Sequence, residues 1–365
     1  MKVLQVVSVA FSLRYFIGDQ FEYFAQRGVS YSVACSPSEQ LSQYAEEMKF
    51  KAVPININRS ISPLQDVASI FKLYSLIKRE QFDVVIAHSP KGGLIGMMAA
   101  LMARTPKRIF FRHGLVFETT SGFKRKLLIF IEKITGACAN NVVNVSPSIA
   151  EKSVRLKLNS PSKNLLLARG TCNGVNVSKY KRNPALPRSS RAIIGFIGRL
   201  CRDKGIVELV EAWKLLLPEF QNIELLLVGP YDERDTLPEE TVQFIQSCSS
   251  ITQVGEVAQT ISFYDQMDIF VLPSYREGFP TVVLEASSME LPVITTRNTG
   301  CIDSIIENST GLFTDLTPQD IAENIKRYLT NEPLRRIHGK NGREFVTENF
   351  SEEIIYKEIE TKILK

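Results

Sequence analysis

The run Gly198-Arg199-Leu200-Cys201-Arg202-Asp203-Lys204-Gly205 sets two cations, Arg199 and Lys204, between an apolar segment of strand type and a segment of helical type. A strand-to-helix turn leaves backbone N–H groups at the positive end of a helix, and cations beside them suit a diphosphate. The spacing is that of neither a P-loop nor the dinucleotide G-x-G-x-x-G, which is absent from the chain. Further on, Glu277-Gly278-Phe279-Pro280-Thr281-Val282-Val283-Leu284-Glu285 offers two carboxylates, Glu277 and Glu285, as acceptors for a hydroxyl-rich ligand. Its Gly-Phe-Pro turn at a helix start can aim N–H groups at phosphate. Taken alone, both patterns also fit solvated charges and an acid placed at a positive helix end. A hydrolytic carboxylate pair does not fit, because eight helical positions span about 12 Å and such pairs lie about 5–9.5 Å apart.

These residues need a scaffold, and the surrounding periodicity supplies one. In the first half, short apolar runs alternate with amphipathic segments: Val3 to Val9, Phe16 to Arg27, Tyr31 to Ala34, then a helix opened by Ser62-Pro63-Leu64-Gln65 and a strand over Phe82 to Ala87. This is the rhythm of parallel βαβ units. Further strands are expected over Arg108 to Arg112, Asn141 to Val145 and Asn164 to Ala168. A turn-rich basic stretch from Lys179 to Arg191, with Pro184 and Pro187, reads as an interdomain linker. Beyond it the alternation restarts, with strands over Ala192 to Ile197, Glu224 to Val228, Ile269 to Leu272 and Val293 to Thr295. The expected fold class is therefore α/β, with two Rossmann-like, doubly wound domains facing a cleft. An N-terminal domain covers 1–183 and a C-terminal domain 184–365, the final helix being expected to pack back on the first. Open parallel sheets bind ligands at the carboxyl ends of their strands. Gly18, His88-Ser89-Pro90-Lys91-Gly92-Gly93, His113-Gly114, Gly229-Pro230 and Gly255-Glu256-Val257 all fall at such ends or in adjacent loops.

Length and composition agree. A chain of 365 residues exceeds one ordinary core, and 44% hydrophobic with 23% charged residues is globular, not disordered or fibrous. The net charge of +5 conceals polarity: 26 Lys and Arg face 11 Asp and Glu up to residue 183, and 18 face 28 beyond it. A basic half suits an anionic membrane surface, a phosphorylated substrate or nucleic acid; the acidic second half and the lack of a nucleic-acid motif argue against the last. Six scattered cysteines without C-x-x-C spacing read as reduced thiols of a cytoplasmic protein. No apolar run approaches the roughly 20 residues that span a bilayer. Lys124-Arg125-Lys126 ahead of Leu127 to Ile131 instead suggests a helix lying peripherally on anionic lipid at the inner face of the membrane.

Gly198-Arg199-Leu200 with Lys204-Gly205, Val228-Gly229-Pro230, and Pro273-Ser274 through Glu277-Gly278-Phe279-Pro280 to Leu284-Glu285-Ala286 together resemble glycosyltransferase family four. In the first half, Ser12-Leu13-Arg14, His88 to Leu94 and His113-Gly114-Leu115 resemble bacterial members that act on undecaprenyl-diphosphate-linked acceptors. The resemblance covers nearly the whole chain and implies the GT-B fold and a retaining transfer. The donor would be a nucleotide-sugar, UDP-linked, and the acceptor a lipid-linked saccharide in surface polysaccharide or glycan synthesis. By the same resemblance, Arg199 and Lys204 hold the donor diphosphate, Glu277 contacts sugar hydroxyls near the N–H groups of Gly278, Phe279 and Thr281 around Pro280, and Glu285 binds the ribose. The base rests near Gly229, Pro230, Glu256 and Val257. Gly18 touches the donor, although relatives carry adjacent glycines there. His113 sits beside the transferred sugar as a contact, the donor phosphate serving as base. His88 and Lys91 are expected to meet the acceptor. With no D-x-D sequence, neither a metal nor another cofactor is called for. Two alternatives share the architecture: a nucleotide-sugar epimerase, and a non-catalytic nucleotide-sugar-binding protein.

Overall fold

A computed structural model describes residues 1–58, 62–185 and 189–365. It divides into two compact units, Met1–Asn173 with Glu353–Lys365, and Gly174–Glu352.

The first unit holds seven strands: β1 (Lys2–Val6), β2 (Ser30–Cys35), β3 (Lys51–Pro54), β4 (Val84–His88), β5 (Lys107–Arg112), β6 (Asn141–Asn144) and β7 (Asn164–Leu165). They pair in parallel in the order β3-β2-β1-β4-β5-β6-β7. The central strands are buried on both faces, which is why Val84 to Ala87 reads as an unbroken apolar run and not as an alternation. The expected helix over Phe16 to Arg27 is two short ones, Ser12–Phe16 and Gln20–Ala25, broken at Gly18. The helix Pro63–Glu80 begins where its Pro places it, but Ser62 makes no side-chain cap. Gln65, the expected reciprocal partner, is turned toward Asn58 instead, with Asn58 Nδ2 3.4 Å from its Oε1.

The second unit holds β8 (Ala192–Ile197), β9 (Ile223–Val228), β10 (Ile251–Val254), β11 (Ile269–Leu272), β12 (Val293–Thr296) and β13 (Gly311–Thr314). These pair in parallel in the order β10-β9-β8-β11-β12-β13. In both sheets the strand order reverses beside the first strand, β1 or β8, the topology that opens a ligand crevice at the carboxyl edge. Ile194, Phe196, Leu225, Leu227, Phe270 and the fully buried Trp213 of the helix Ile206–Leu216 fill this unit's core. The Trp213 indole N–H is satisfied by Ser250 Oγ at 3.0 Å.

The stretch 179–191, expected as a linker, lies within the second unit. Tyr180 packs edge-on to Tyr264 with its hydroxyl 3.2 Å from Thr260 Oγ1, and Arg182 donates to the Met267 carbonyl at 2.8 Å. Such anchors override a turn-rich composition. Pro187 lies outside the described residues. Residues Glu353–Lys365 belong to the first unit, where Ala168 N–H donates to Glu358 at 2.9 Å and Lys107 to the Leu364 carbonyl at 2.8 Å.

Candidate functional site

In the second unit the loops after β8, β9 and β11 are pressed together. Gly205 has φ +70°, and a Cβ there would lie 2.0 Å from the Pro273 carbonyl oxygen. Gly229, the first residue past β9, would meet the Gly198 carbonyl at the same 2.0 Å. Only glycine permits either approach. The Lys204 ammonium is bonded to the Glu277 carboxylate, which also accepts from Ser274 Oγ at 2.8 Å. The neighbouring pair ties the same loops: Arg276 Nη2 donates to Asp203 at 2.6 Å, and Tyr275 N–H to the Asp203 carbonyl at 2.9 Å. Arg199 leaves β8 just after Gly198 and its half-exposed guanidinium meets the nearly buried carboxylate of Asp232. Arg199 and Lys204 both act electrostatically on the buried Cys201 thiol between them, opposing the upward shift that burial imposes.

Glu285 lies in the helix Thr281–Ser288 and accepts from Tyr264 Oη at 2.8 Å. Burial pushes its carboxyl up to about 7, against the lowering effect of the Tyr264 and Tyr180 hydroxyls and the charge of Lys179. Its proton is thus held more tightly in the folded state than the ordinary 4.5. The resulting stability is full below about pH 4.5 and lost as pH rises through about 7. Melts of Glu285→Gln should therefore lack the wild type's fall in stability over that window; an unchanged pH profile would contradict the assignment.

The remaining candidates of this unit are distributed. Pro230 accepts from Leu200 N–H at 2.8 Å, joining the β8 and β9 loops. Gly278 lies at the same turn as Glu277, and Pro280 caps the helix start before Thr281. Phe279 turns away from that polar cluster, its ring 5.2 Å from Phe350 among Val175, Leu284 and Val346. Glu256 is exposed on the loop after β10, and Val257 packs on the core.

In the first unit, His88 ends β4 and His113 follows β5. His88 Nδ1 is 2.8 Å from His113 Nε2, and His88 Nε2 is 2.8 Å from Gln5 Oε1. Phe16 stacks on His113 with centroids 3.7 Å apart. Burial pushes His88 down to about 3; burial and its neighbouring histidine hold His113 well below its ordinary range, so both rings are neutral at physiological pH. Gly18 lies against the Arg14 carbonyl and Asn173. Lys91 is not a free cation, since its ammonium is bonded to Asp66 of the helix Pro63–Glu80, both side chains being nearly buried. It can meet a diphosphate only by sharing or leaving that carboxylate. No motif signalled Asp66, Asp232, Tyr264 or Phe16; Gln5 alone left a trace, as an amide inside the apolar run Val3 to Val7.

Comparison with known proteins gives the family and the fold. Residues 178–345 match the family model described as glycosyl transferases group 1, and residues 2–146 match glycosyl transferase 4-like. The chain is 33% identical over 368 residues to the capsular polysaccharide biosynthesis glycosyltransferase CapM of Staphylococcus aureus, spanning 99% of this chain and 96% of that one. It is 26% identical to the N,N'-diacetylbacillosaminyl-diphospho-undecaprenol alpha-1,3-N-acetylgalactosaminyltransferase of Campylobacter jejuni, over 84% of this chain and 83% of that one. The crystal structure of Anabaena HepE in complex with UDP and glucose superposes with a TM-score of 0.82 at 16% identity, over 100% of both chains. The fold is GT-B. The chain belongs to the group 1 glycosyltransferases and is an enzyme of that class.

Proposed function

We propose that this enzyme moves a sugar, with retention of anomeric configuration, from a UDP-sugar to an undecaprenyl-diphosphate-linked saccharide in capsular or related surface polysaccharide synthesis. The observation that carries the donor side is the convergence of the β8, β9 and β11 loops on the Lys204–Glu277 pair. Bond cleavage at the anomeric carbon builds negative charge on the departing diphosphate. Lys204 and Arg199 offset that charge, and the Glu277 bond holds Lys204 in place before substrate arrives. Glu277 accepts from sugar hydroxyls and Glu285 from the ribose, with the base beside Gly229-Pro230. A neutral His113 suits a hydroxyl contact and is too weak a base to take the acceptor proton. The relatives support the reading: CapM by its named role in capsular polysaccharide synthesis, the Campylobacter enzyme by its named lipid-linked acceptor, and HepE by its bound UDP.

The test is incubation of the purified protein, with chelator present, against a panel of UDP-sugars and undecaprenyl-diphosphate saccharides. Acceptor-dependent UDP release with a retained linkage is expected. Absence of both transfer and donor binding across the panel would reject the proposal, and sugar conversion without acceptor would show an epimerase. Donor affinity should also weaken as pH falls below about 7, because a ribose hydroxyl needs the ionised Glu285 as acceptor. Calorimetric titration with UDP at several pH values checks this, with Glu285→Gln expected to bind weakly and without that dependence.

The lipid side rests on the helix Gly122–Cys138, which leaves large apolar side chains in solvent. Its buried side carries Glu132 and Thr135, while Phe123 and Phe130 are 81% and 59% exposed. Phe123, Leu127 and Phe130 follow helical spacing, with Lys124, Arg125, Lys126 and Lys133 exposed around them, while Ile134 packs on the core. We assign this stripe to an anionic bilayer surface; among the described residues no helix is long and apolar enough to cross a membrane. At about 1 kcal/mol per cation, Lys124→Ser/Arg125→Ser/Lys126→Ser should weaken binding to anionic vesicles about 100-fold. Equal sedimentation of variant and wild type with those vesicles would contradict it.

A further inference from the structure

Gln5 stands in the middle of β1 between Leu4 and Val6 and is 2% exposed. An amide in such a place destabilises the fold unless it is hydrogen-bonded. The register shows what satisfies it. Gln5 pairs with Ile86 on β4, and His88 lies two residues farther along the same face. His88 pairs with Phe111 on β5, and His113 lies two residues farther again. Side chains in strands repeat every two residues, so the three form a staircase on one face, each step a diagonal of about 7–8 Å. An amide and two imidazoles are long enough to close those diagonals. They do so with the two contacts of 2.8 Å, while Phe16, tilted only 12° from the His113 ring, fixes its plane.

We propose that Gln5 and His88 are positioning residues that lock His113 in the tautomer protonated at Nε2, leaving Nδ1 as a hydrogen-bond acceptor for a hydroxyl of the bound sugar. This deepens, and rests on, the proposed contact between His113 and the transferred sugar. The polarity follows from the end of the chain. Gln5 Oε1 can only accept, so His88 carries its proton on Nε2. A neutral His88 then has its lone pair on Nδ1 and takes a hydrogen bond from His113 Nε2–H. Depressed basicity at both rings keeps either from gaining a second proton near neutrality. Reversing one group would set two donors or two lone pairs against each other.

The chain has three histidines, so nitrogen-15 spectra of the full-length, histidine-labelled protein are simple to assign. His338, which faces Tyr328 at 2.7 Å, is removed from the spectrum by His338→Gln. The expected result is His88 and His113 both neutral and both protonated on Nε2. A proton on His113 Nδ1 in the wild type overturns the proposal, and this readout depends on no variant and no substrate. Gln5→Met, which keeps length but removes the acceptor, should give mixed tautomers and lower kcat/KM about tenfold. Tautomers unchanged in Gln5→Met would equally overturn it. Absence of sugar transfer in the wild type would defeat the proposed function while the wild-type tautomer still decides the lock, so the two failures are distinguishable.

Discussion

Lys204→Ala is expected to lower kcat about 10²–10³-fold while the protein stays folded. The size follows from the role proposed for the ammonium, facing a diphosphate that gains charge in the transition state, in a site where Glu277, Ser274 and the glycine-packed loops already hold the cation in place. A cation needed equally by bound substrate and transition state would show its loss in KM. One serving the leaving group shows it in kcat. Lys204→Arg should recover little, because a planar fork cannot take the place of a compact ammonium beside the Glu277 carboxylate. Glu277→Gln should also depress turnover, by leaving Lys204 without its counter-charge and the sugar without an ionised acceptor. Steady-state kinetics over a range of donor concentrations check both; a Lys204→Ala enzyme within about twofold of wild type in kcat would remove the lysine from the chemistry.

Glu132→Ala should cost about 3–5 kcal/mol of stability, a far larger effect than losing an exposed ion pair. Arg112 of β5 is fully buried, and its Nε donates to Glu132 at 2.8 Å. Its Nη1 is shared among the neutral Ser153 at 2.7 Å and Asn144 and Asn159 at 3.0 Å, so Glu132 is the carboxylate that balances the charge among the described residues. Removing the carboxylate strands a guanidinium in the interior. Replacing both partners, as in Arg112→Met/Glu132→Leu, should cost much less than the single change, since no unpaired charge remains. Urea unfolding of the three proteins measures this. A double variant less stable than Glu132→Ala would show that the pair contributes more than mutual neutralisation. Because Arg112 precedes His113 and Glu132 lies on the helix that presents Phe123 and Phe130, the pair also couples the strand end to the proposed lipid-facing helix.

The candidate positions are legible wherever they immediately follow an apolar run. Arg199 and Lys204 after β8, Gly229 after β9, Glu277 after β11 and His113 after β5 could be marked because a fully buried parallel strand is visible as a block and its carboxyl end as the block's limit. The edge strands β3, β10 and β13 were not, since Lys51-Ala52-Val53-Pro54 and Ile251-Thr252-Gln253-Val254 are half polar and short. Partners reached through tertiary folding were also invisible. Asp66 meets Lys91 from another helix, Asp232 meets Arg199 from the next crossover, and Tyr264 holds Glu285 from a different helix. Pairing of this kind decides whether a cation is free, and Lys91 is not, being bonded to Asp66. The Gln5–His88–His113 staircase needed the strand register, which no single apolar run discloses.

A crystal of the protein soaked with a UDP-sugar addresses most directly whether these loops surround one activated carbohydrate. The diphosphate should lie within hydrogen-bonding reach of Arg199 and Lys204, the ribose at Glu285 and the sugar at Glu277. A nucleotide bound elsewhere, with those four side chains unmoved and untouched, would contradict it.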